Sequence, residues 1–299
     1  MKQRQLKQFN YKKRGSDFQM MLGTLEQSLI FAFMVLGLYI SYKILDFPDL
    51  TVDGSFPLGA SVVAISLIHG INPIIALILA CLAGSLAGLI TGYIHVKYNI
   101  SDLLAGIIVM TGLYSVNLRV MGRSNIPLFN INTMFTSGNA LLKIILLLIA
   151  VKFILDFILK TKFGFALRAM GDNETLITSL GINEKKVKII GLMLANSLVA
   201  LSGGILAQYQ GFSDIGMGVG TIITGLASII IGESVFKQTK FINMTLLVIL
   251  GSIIYKYIIS VTLSMGMNPG DLKLITSIIV VAIMGTKNLK KLKGGVKLA

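Results

Sequence analysis

The stretch PIIALILACLAGSLAGLITGYI, Pro73 to Ile94, decides the fold class. It runs for 22 residues without a single Asp, Glu, Lys or Arg. A helix of that length reaches about 33 Å, enough to cross the roughly 30 Å hydrocarbon core of a bilayer. Ala80, Gly84, Gly88 and Gly92 recur every four residues within it. On a helix they form one smooth stripe, which lets a second backbone approach closely where lipid supplies no hydrophobic drive between helices. The segment therefore reads as a membrane helix inside a compact bundle. The stripe itself carries no information about a solute.

Similar runs flank it. Leu22–Tyr42, Ser101–Met121, Ala140–Leu159, Val187–Ala207, Val219–Val235, Phe241–Val261 and the shorter Leu272–Gly285 bring the expectation to about eight full crossings. Composition agrees. Apolar residues make up 54% of the 299-residue chain and charged residues 13%, against about 25% charge in a soluble domain. Mean hydropathy is +0.81. The fold class is an all-α, polytopic membrane helix bundle.

Charge predicts its orientation. Basic residues cluster in an N-terminal tail, residues 1–20, in a loop at 160–188, and in a C-terminal tail, residues 287–299. The loops around Gln208–Gly218 and Ser264–Gly270 have no Lys or Arg. The positive-inside rule places the three basic segments in the cytoplasm, around a transmembrane domain at 21–286. An even number of crossings must then separate the N-terminal tail from the 160–188 loop. A ninth apolar stretch, Pro57–Gly70, has only 14 residues. It is therefore expected to be re-entrant or broken, leaving and returning on one side. Irregular backbone at membrane depth survives only where protein buries it or water reaches it, and transporters place solute paths there.

Several function classes are excluded or disfavoured. The net charge of +14 sits in short clusters between apolar runs, the pattern of membrane loops and not of a nucleic-acid surface. The single cysteine, Cys81, allows no disulfide framework, and the two histidines, His69 and His95, form no HExxH. No metal site, cofactor site or catalytic constellation is expected, and no removable signal peptide precedes the first run. The sequence GxxxxGK[ST] is absent, so if ATP drives the protein, another subunit binds it. Among ionisable residues inside the runs, Lys152 and Asp156 are spaced to pair. Asp102 follows Ser101 at a helix start and suits a capping role. Lys256, between Tyr255 and Tyr257, reads as an interface anchor.

Two stretches stand apart. Asp49-Leu50-Thr51-Val52-Asp53-Gly54-Ser55-Phe56-Pro57 leads polar side chains into the broken segment, and makes Thr51, Asp53 and Ser55 candidates for the solute path. Asp53 is the group that could meet a solute's amino end. Phe163-Gly164-Phe165-Ala166-Leu167-Arg168-Ala169-Met170-Gly171-Asp172-Asn173, followed by Leu180-Gly181-Ile182, reads as two short helices on an inner loop. Gly164 and Gly171 bracket the first of them. Leu167 offers an apolar anchor and Arg168 a planar fork of donors to a partner.

These residues carry a resemblance. The chain resembles permease subunits of ATP-binding-cassette importers of the branched-chain amino acid and simple-sugar type. It does so through Leu58-Gly59-Ala60, through the inner-loop pattern Gly164, Ala166, Leu167, Arg168, Ala169, Gly171, Asn173 and Gly181-Ile182, and through Ile230-Ile231-Gly232. Pro48 to Ser55 is similar to a subgroup whose binding proteins take aromatic amino acids. Glu233 departs from the broader pattern, in which a second glycine is usual. The resemblance implies a multi-pass permease in a bacterial cell membrane that imports a small solute, an amino acid and in the subgroup an aromatic one. It implies cytoplasmic ATP-binding subunits, an extracytoplasmic solute-binding protein and a second permease copy. Gly164, Leu167, Arg168, Gly171, Asn173 and Gly181 are then the elements that couple to the ATPase. The rival readings are a sugar or nucleoside permease and an ion-coupled secondary transporter needing no ATPase.

Overall fold

The computed structural model describes residues 2–236, 243–268, 271, 274–278 and 281–282. Ten α-helices of six or more residues occur among them: α1 (Lys2–Leu38), α2 (Val52–Ile68), α3 (Pro73–Tyr98), α4 (Asp102–Met121), α5 (Ala140–Lys160), α6 (Lys162–Asp172), α7 (Glu174–Ser179), α8 (Glu184–Gln210), α9 (Thr221–Val235) and α10 (Met244–Ser264). A π-helical turn, Tyr39–Ile44, prolongs α1. Two three-residue strands, β1 (Asn125–Pro127) and β2 (Phe212–Asp214), pair antiparallel. This is the expected all-α bundle. Among the described residues, six helical segments are long and apolar enough to cross a membrane: Gln19–Ile44, Pro73–Tyr98, Asp102–Met121, Glu184–Gln210, Ile215–Val235 and Met244–Ser264. Half of the predicted last crossing, Leu272–Gly285, and all of the C-terminal tail lie outside the described residues.

α8 is the axis of the bundle, because small residues on its neighbours let them close on it. On α3, a Cβ at Gly84 would lie 2.3 Å from the Asn196 carbonyl oxygen, and one at Gly88 would lie 2.2 Å from that of Leu192. The four-residue stripe read from the sequence is thus the α3–α8 seam. α2 packs on α8 as tightly. A Cβ at Gly59 would meet the Ala200 carbonyl oxygen at 1.8 Å, and one at Gly203 would meet that of Phe56 at 1.9 Å. α1 runs antiparallel to α8, with Gly37 against Ala195, Ser202 Oγ donating to the Ile30 carbonyl at 2.7 Å and the Tyr209 hydroxyl donating to Glu26 at 2.7 Å.

These contacts define two ends of the bundle. One carries α6, α7 and the start of α8. The other carries the small sheet and the end of α8. α1 runs from the sheet end to the α6 end, where Gly171 abuts Ile44. α2 runs back, finishing beside Pro73, whose carbonyl accepts from Gln208 Nε2 at 3.2 Å. α3, α4 and α5 follow in alternation.

This corrects two expectations. Pro57–Gly70 is not re-entrant. It belongs to a continuous 17-residue helix, with Pro57 inside it, that travels toward the opposite end. The length the apolar run lacks is supplied by residues 45–51, a non-helical stretch buried in protein at Leu45, Phe47, Asp49 and Thr51. Protein burial makes such backbone tolerable at this depth. The parity argument fails with it. Five helices, α1 to α5, separate the beginning of the first span from the 160–188 loop. The N-terminal segment and that loop therefore leave the bundle at opposite ends.

Candidate functional site: a junction of two interrupted segments

Two breaks in the helical pattern meet inside the bundle. One is residues 45–51, before α2. The other is residues 211–220, between α8 and α9, which holds β2 and a 3₁₀ turn, Ile215–Gly218. The second packs on the first turns of α2, immediately after the first break: a Cβ at Gly218 would lie 2.0 Å from the Asp53 carbonyl oxygen and 2.6 Å from Pro57 Cδ. Gly220, at φ +83°, is the N-cap of α9 and has no side chain to offer. The first turn of any helix exposes unpaired N–H groups, and negative charge is favoured there. Asp53 supplies both from another helix. Its Oδ2 accepts from Gly220 N at 2.9 Å. Its Oδ1 accepts from Ile222 N at 2.9 Å and from Thr221 Oγ1 at 2.8 Å.

Below this cap lies a buried polar cluster. Asp49 accepts from Thr51 N at 2.9 Å and from Asn196 Nδ2 at 2.7 Å. Ser55 Oγ donates to Asn196 Oδ1 at 2.7 Å. Thr51 and Thr91 share a hydroxyl–hydroxyl bond of 2.8 Å, and Asn117 Nδ2 donates to the Gly54 carbonyl at 3.1 Å. Asn117 Oδ1 is buried and has no partner among the described residues. Of the three residues proposed from sequence, Thr51 and Ser55 are fully buried in this bracing. Asp53 alone borders open space. It lines a cavity of about 440 Å³ with Val219, Gly220, Lys256 and Thr276. It also lines one of about 350 Å³ with Pro57, Tyr114, Asn117 and Val219.

At the α6 end the predicted double helix is present as α6 and α7. Thr161 caps α6, and Asn173 Oδ1 accepts from Thr175 N at 3.0 Å, capping α7. Gly164 sits where a Cβ would lie 2.4 Å from the Leu159 backbone. Gly171 sits where one would lie 2.1 Å from the Ile44 carbonyl oxygen. Leu167 is fully buried, and its Cδ2 would be 2.7 Å from a Cβ at Gly191. Its anchoring is therefore to α8 within this chain, not to a partner. The outward face holds Arg168, whose guanidinium lies 6.0 Å from the Phe165 ring centroid, with Phe165 and Leu180 each more than 60% exposed. Gly181 takes φ +72°, a left-handed conformation that suits glycine. Glu233, the departure noted above, pairs with Lys43 at 3.0 Å and so ties α9 to the end of α1. Lys152 and Asp156 pair at 2.6 Å, as their spacing predicted.

Sequence reasoning passed over Asn196 and Asn117. Both are lone amides inside apolar runs, where an unpaired polar group is costly and hence seldom idle. That signal was present at both positions. The cap that Asp53 places on α9 left no local signal, because its partners lie 167 to 169 residues away.

A multi-pass helical bundle with helices interrupted within it, and with a structured helical pair at one end, is an arrangement found in membrane transport permeases. The comparisons with known proteins specify which. Residues 20–284 match the family described as Branched-chain amino acid transport system / permease component, and the chain belongs to that family. It is 50% identical over 269 residues to a tyrosine transport system permease protein of Clostridioides difficile, covering 90% of this chain and 91% of the relative. It is 26% identical to the ribose import permease protein RbsC of Bacillus subtilis over 62% of this chain and 59% of that one. The fold is similar to that of PsaBC from Streptococcus pneumoniae in complex with Fab, with a TM-score of 0.52, 16% identity and coverage of 87% and 89% of the two chains. The protein is an importer permease of the ATP-binding-cassette class, and that class implies ATP-binding subunits and a solute-binding protein.

Proposed function

We propose that this chain carries an aromatic amino acid, tyrosine among them, into the cell, using ATP hydrolysed by cytoplasmic partner subunits. The observation that carries this reading is the 50% identity to a tyrosine transport permease, spread over nine-tenths of both chains. Ribose permeases share only 26% over a shorter region. The ion-coupled alternative is disfavoured by the family to which the chain belongs.

In this reading the α6 end is cytoplasmic. Lys43, Lys97, Lys160, Lys162, Arg168, Lys185, Lys186 and Lys188 gather there, as loops on that side do. α6 is the docking element. Gly164 and Gly171 seat it against α5 and the end of α1, which leaves Phe165 and Arg168 free to meet an ATPase subunit. Eight residues separate Ile44, under α6, from Asp53 at the cavities, so a displacement of α6 has a short covalent route to the α2–α9 junction. The solute passes that junction, with Asp53 at its edge and Thr51 and Ser55 bracing it from behind. A second permease copy completes the importer.

The test is uptake by the complex rebuilt in liposomes with its ATPase and solute-binding protein. L-Tyrosine, L-phenylalanine, L-leucine and ribose are supplied singly. ATP-dependent accumulation of the aromatic amino acids is expected. Accumulation of ribose or of branched-chain amino acids in their place overturns the assignment of solute.

A further inference from the structure

Lys256 does not behave as the interface anchor its flanking tyrosines suggested. Its ammonium lies 3.4 Å from the centroid of the Phe31 ring. Phe31 falls midway along the span Gln19–Ile44 and itself stacks on Phe56 with centroids 5.6 Å apart. The lysine thus reaches toward the middle of the bundle and not out to an interface. Among the described residues no carboxylate comes within ion-pair distance of it. A lysine head has three donors, and a cation–π contact satisfies none of them as a hydrogen bond. An ionisable group held at membrane depth is costly, and such groups mark functional sites by default.

The same group borders the cavity of about 440 Å³ that Asp53 lines. Across that cavity the Asp53 carboxylate already accepts three hydrogen bonds. A carboxylate has about four lone-pair sites, so one acceptor position remains. The remaining walls combine apolar Val219, Ile223 and Ile259 with the hydroxyl-bearing Thr224, Tyr255 and Thr276. A cation, an anion with one open site and mixed apolar and hydroxyl walls fit a small zwitterion with an apolar or aromatic side chain. A lipid phosphate is a poor occupant at this depth, since headgroups stay at the interface.

We propose that this cavity is a binding site within the permease for the main-chain end of a free α-amino acid, with Lys256 receiving its carboxylate. The proposal rests on the importer reading and extends it. Solute handed over by the binding protein pauses here, and compounds lacking a carboxylate are rejected a second time.

The experiment uses the permease–ATPase complex in nanodiscs, without its solute-binding protein. Binding of radiolabelled L-tyrosine is measured in competition with unlabelled L-tyrosine, tyramine and tyrosine methyl ester. Wild type is expected to bind L-tyrosine saturably and to take tyramine and the ester about tenfold or more weakly, the scale of one charged hydrogen bond. Lys256→Met is expected to lose that discrimination and Lys256→Arg to retain it. A merely structural lysine would leave the ratio of tyrosine to tyramine unchanged. Wild type binding tyramine as well as tyrosine, or showing no saturable binding, overturns the proposal. So does a folded Lys256→Met complex that discriminates as wild type does. If Lys256→Met does not fold, the wild-type competition decides alone. Aromatic amino acid uptake by the full complex is measured in parallel. Its absence removes the importer reading, whereas its presence with unselective binding removes only this site.

Discussion

Replacing Asp53 tests the α2–α9 junction most directly. In Asp53→Ala, three donors lose their acceptor: Gly220 N–H, Ile222 N–H and the Thr221 hydroxyl. A buried donor left unsatisfied costs about 1–3 kcal/mol. These three border a cavity that water can enter, so the lower part of that range applies and the sum is about 3–5 kcal/mol. The loss of negative charge at the α9 N-terminus is included in that figure and not added to it. Asp53→Asn keeps one acceptor oxygen and loses the charge, which leaves a cost of about 1–2 kcal/mol. Thr221→Val removes one donor of the three and its bond, at about 1 kcal/mol.

The predicted order of thermal stability, read as the temperature at which half the purified complex leaves its size-exclusion peak, is wild type, Thr221→Val, Asp53→Asn, Asp53→Ala. Uptake separates capping from solute contact. If Asp53 only caps α9, uptake falls in step with stability across the series. If its open lone pair also meets the solute, Asp53→Asn loses uptake well beyond its loss of stability. An Asp53→Ala protein that unfolds at the wild-type temperature would refute the junction itself.

Three further outcomes follow from the geometry. In a Cys81→Ser background, a cysteine at His69 should react with an impermeant thiol reagent from outside intact cells and one at Asp46, before α2, only after permeabilisation; the same sidedness for both would return Pro57–Gly70 to a re-entrant loop. Gly171→Ala places a methyl group 2.1 Å from the Ile44 carbonyl oxygen, so α6 must shift, and stimulation of ATP hydrolysis by loaded binding protein should fall severalfold while Arg168→Glu weakens co-purification of the ATPase; unaltered values in both would remove α6 as the coupling element. Gly59→Val drives side-chain atoms into the Ala200 backbone, already 1.8 Å from a Cβ there, and should abolish recovery of folded protein, whereas Gly112→Val, with open space around it, should not; equal recovery would contradict the α2–α8 seam.

Hydrophobic length and the glycine stripe made the bundle and the α3–α8 seam legible, because both depend on local periodicity. The existence of the helix pair at 162–179 was legible too, but not its bounds: α6 contains both Gly164 and Gly171, which had read as its brackets. The course of α2 was not legible. Its apolar run is too short to cross alone, and the residues that complete the pass, 45–51, are polar enough to look like a surface loop. Only their burial against α3 and α8, through bonds such as Thr51 to Thr91 and Asp49 to Asn196, places them at depth. Parity counting depended on that segment, since a single pass more or less changes the end assigned to everything before it. Asp53 was picked out as a carboxylate leading into a broken segment; the structure instead places it in the first turn of the continuous helix α2, and its cap on α9 was out of reach of any local pattern.

The two interruptions explain each other. A helix that begins inside a membrane leaves several N–H groups with neither water nor a preceding turn to satisfy them, and in lipid that cost is prohibitive. α9 can begin at Thr221 only because α2 presents a carboxylate there. α2 can present it only because residues 45–51 are non-helical, which starts α2 deep in the bundle and not at its surface. Those same residues are braced by Asn196 on α8 and joined without a break to Ile44 beneath α6. Closing residues 45–51 into regular helix would remove the cap, the cavity edge and the link to α6 together. On the function proposed above, the irregular segment is where the fold and the solute path coincide.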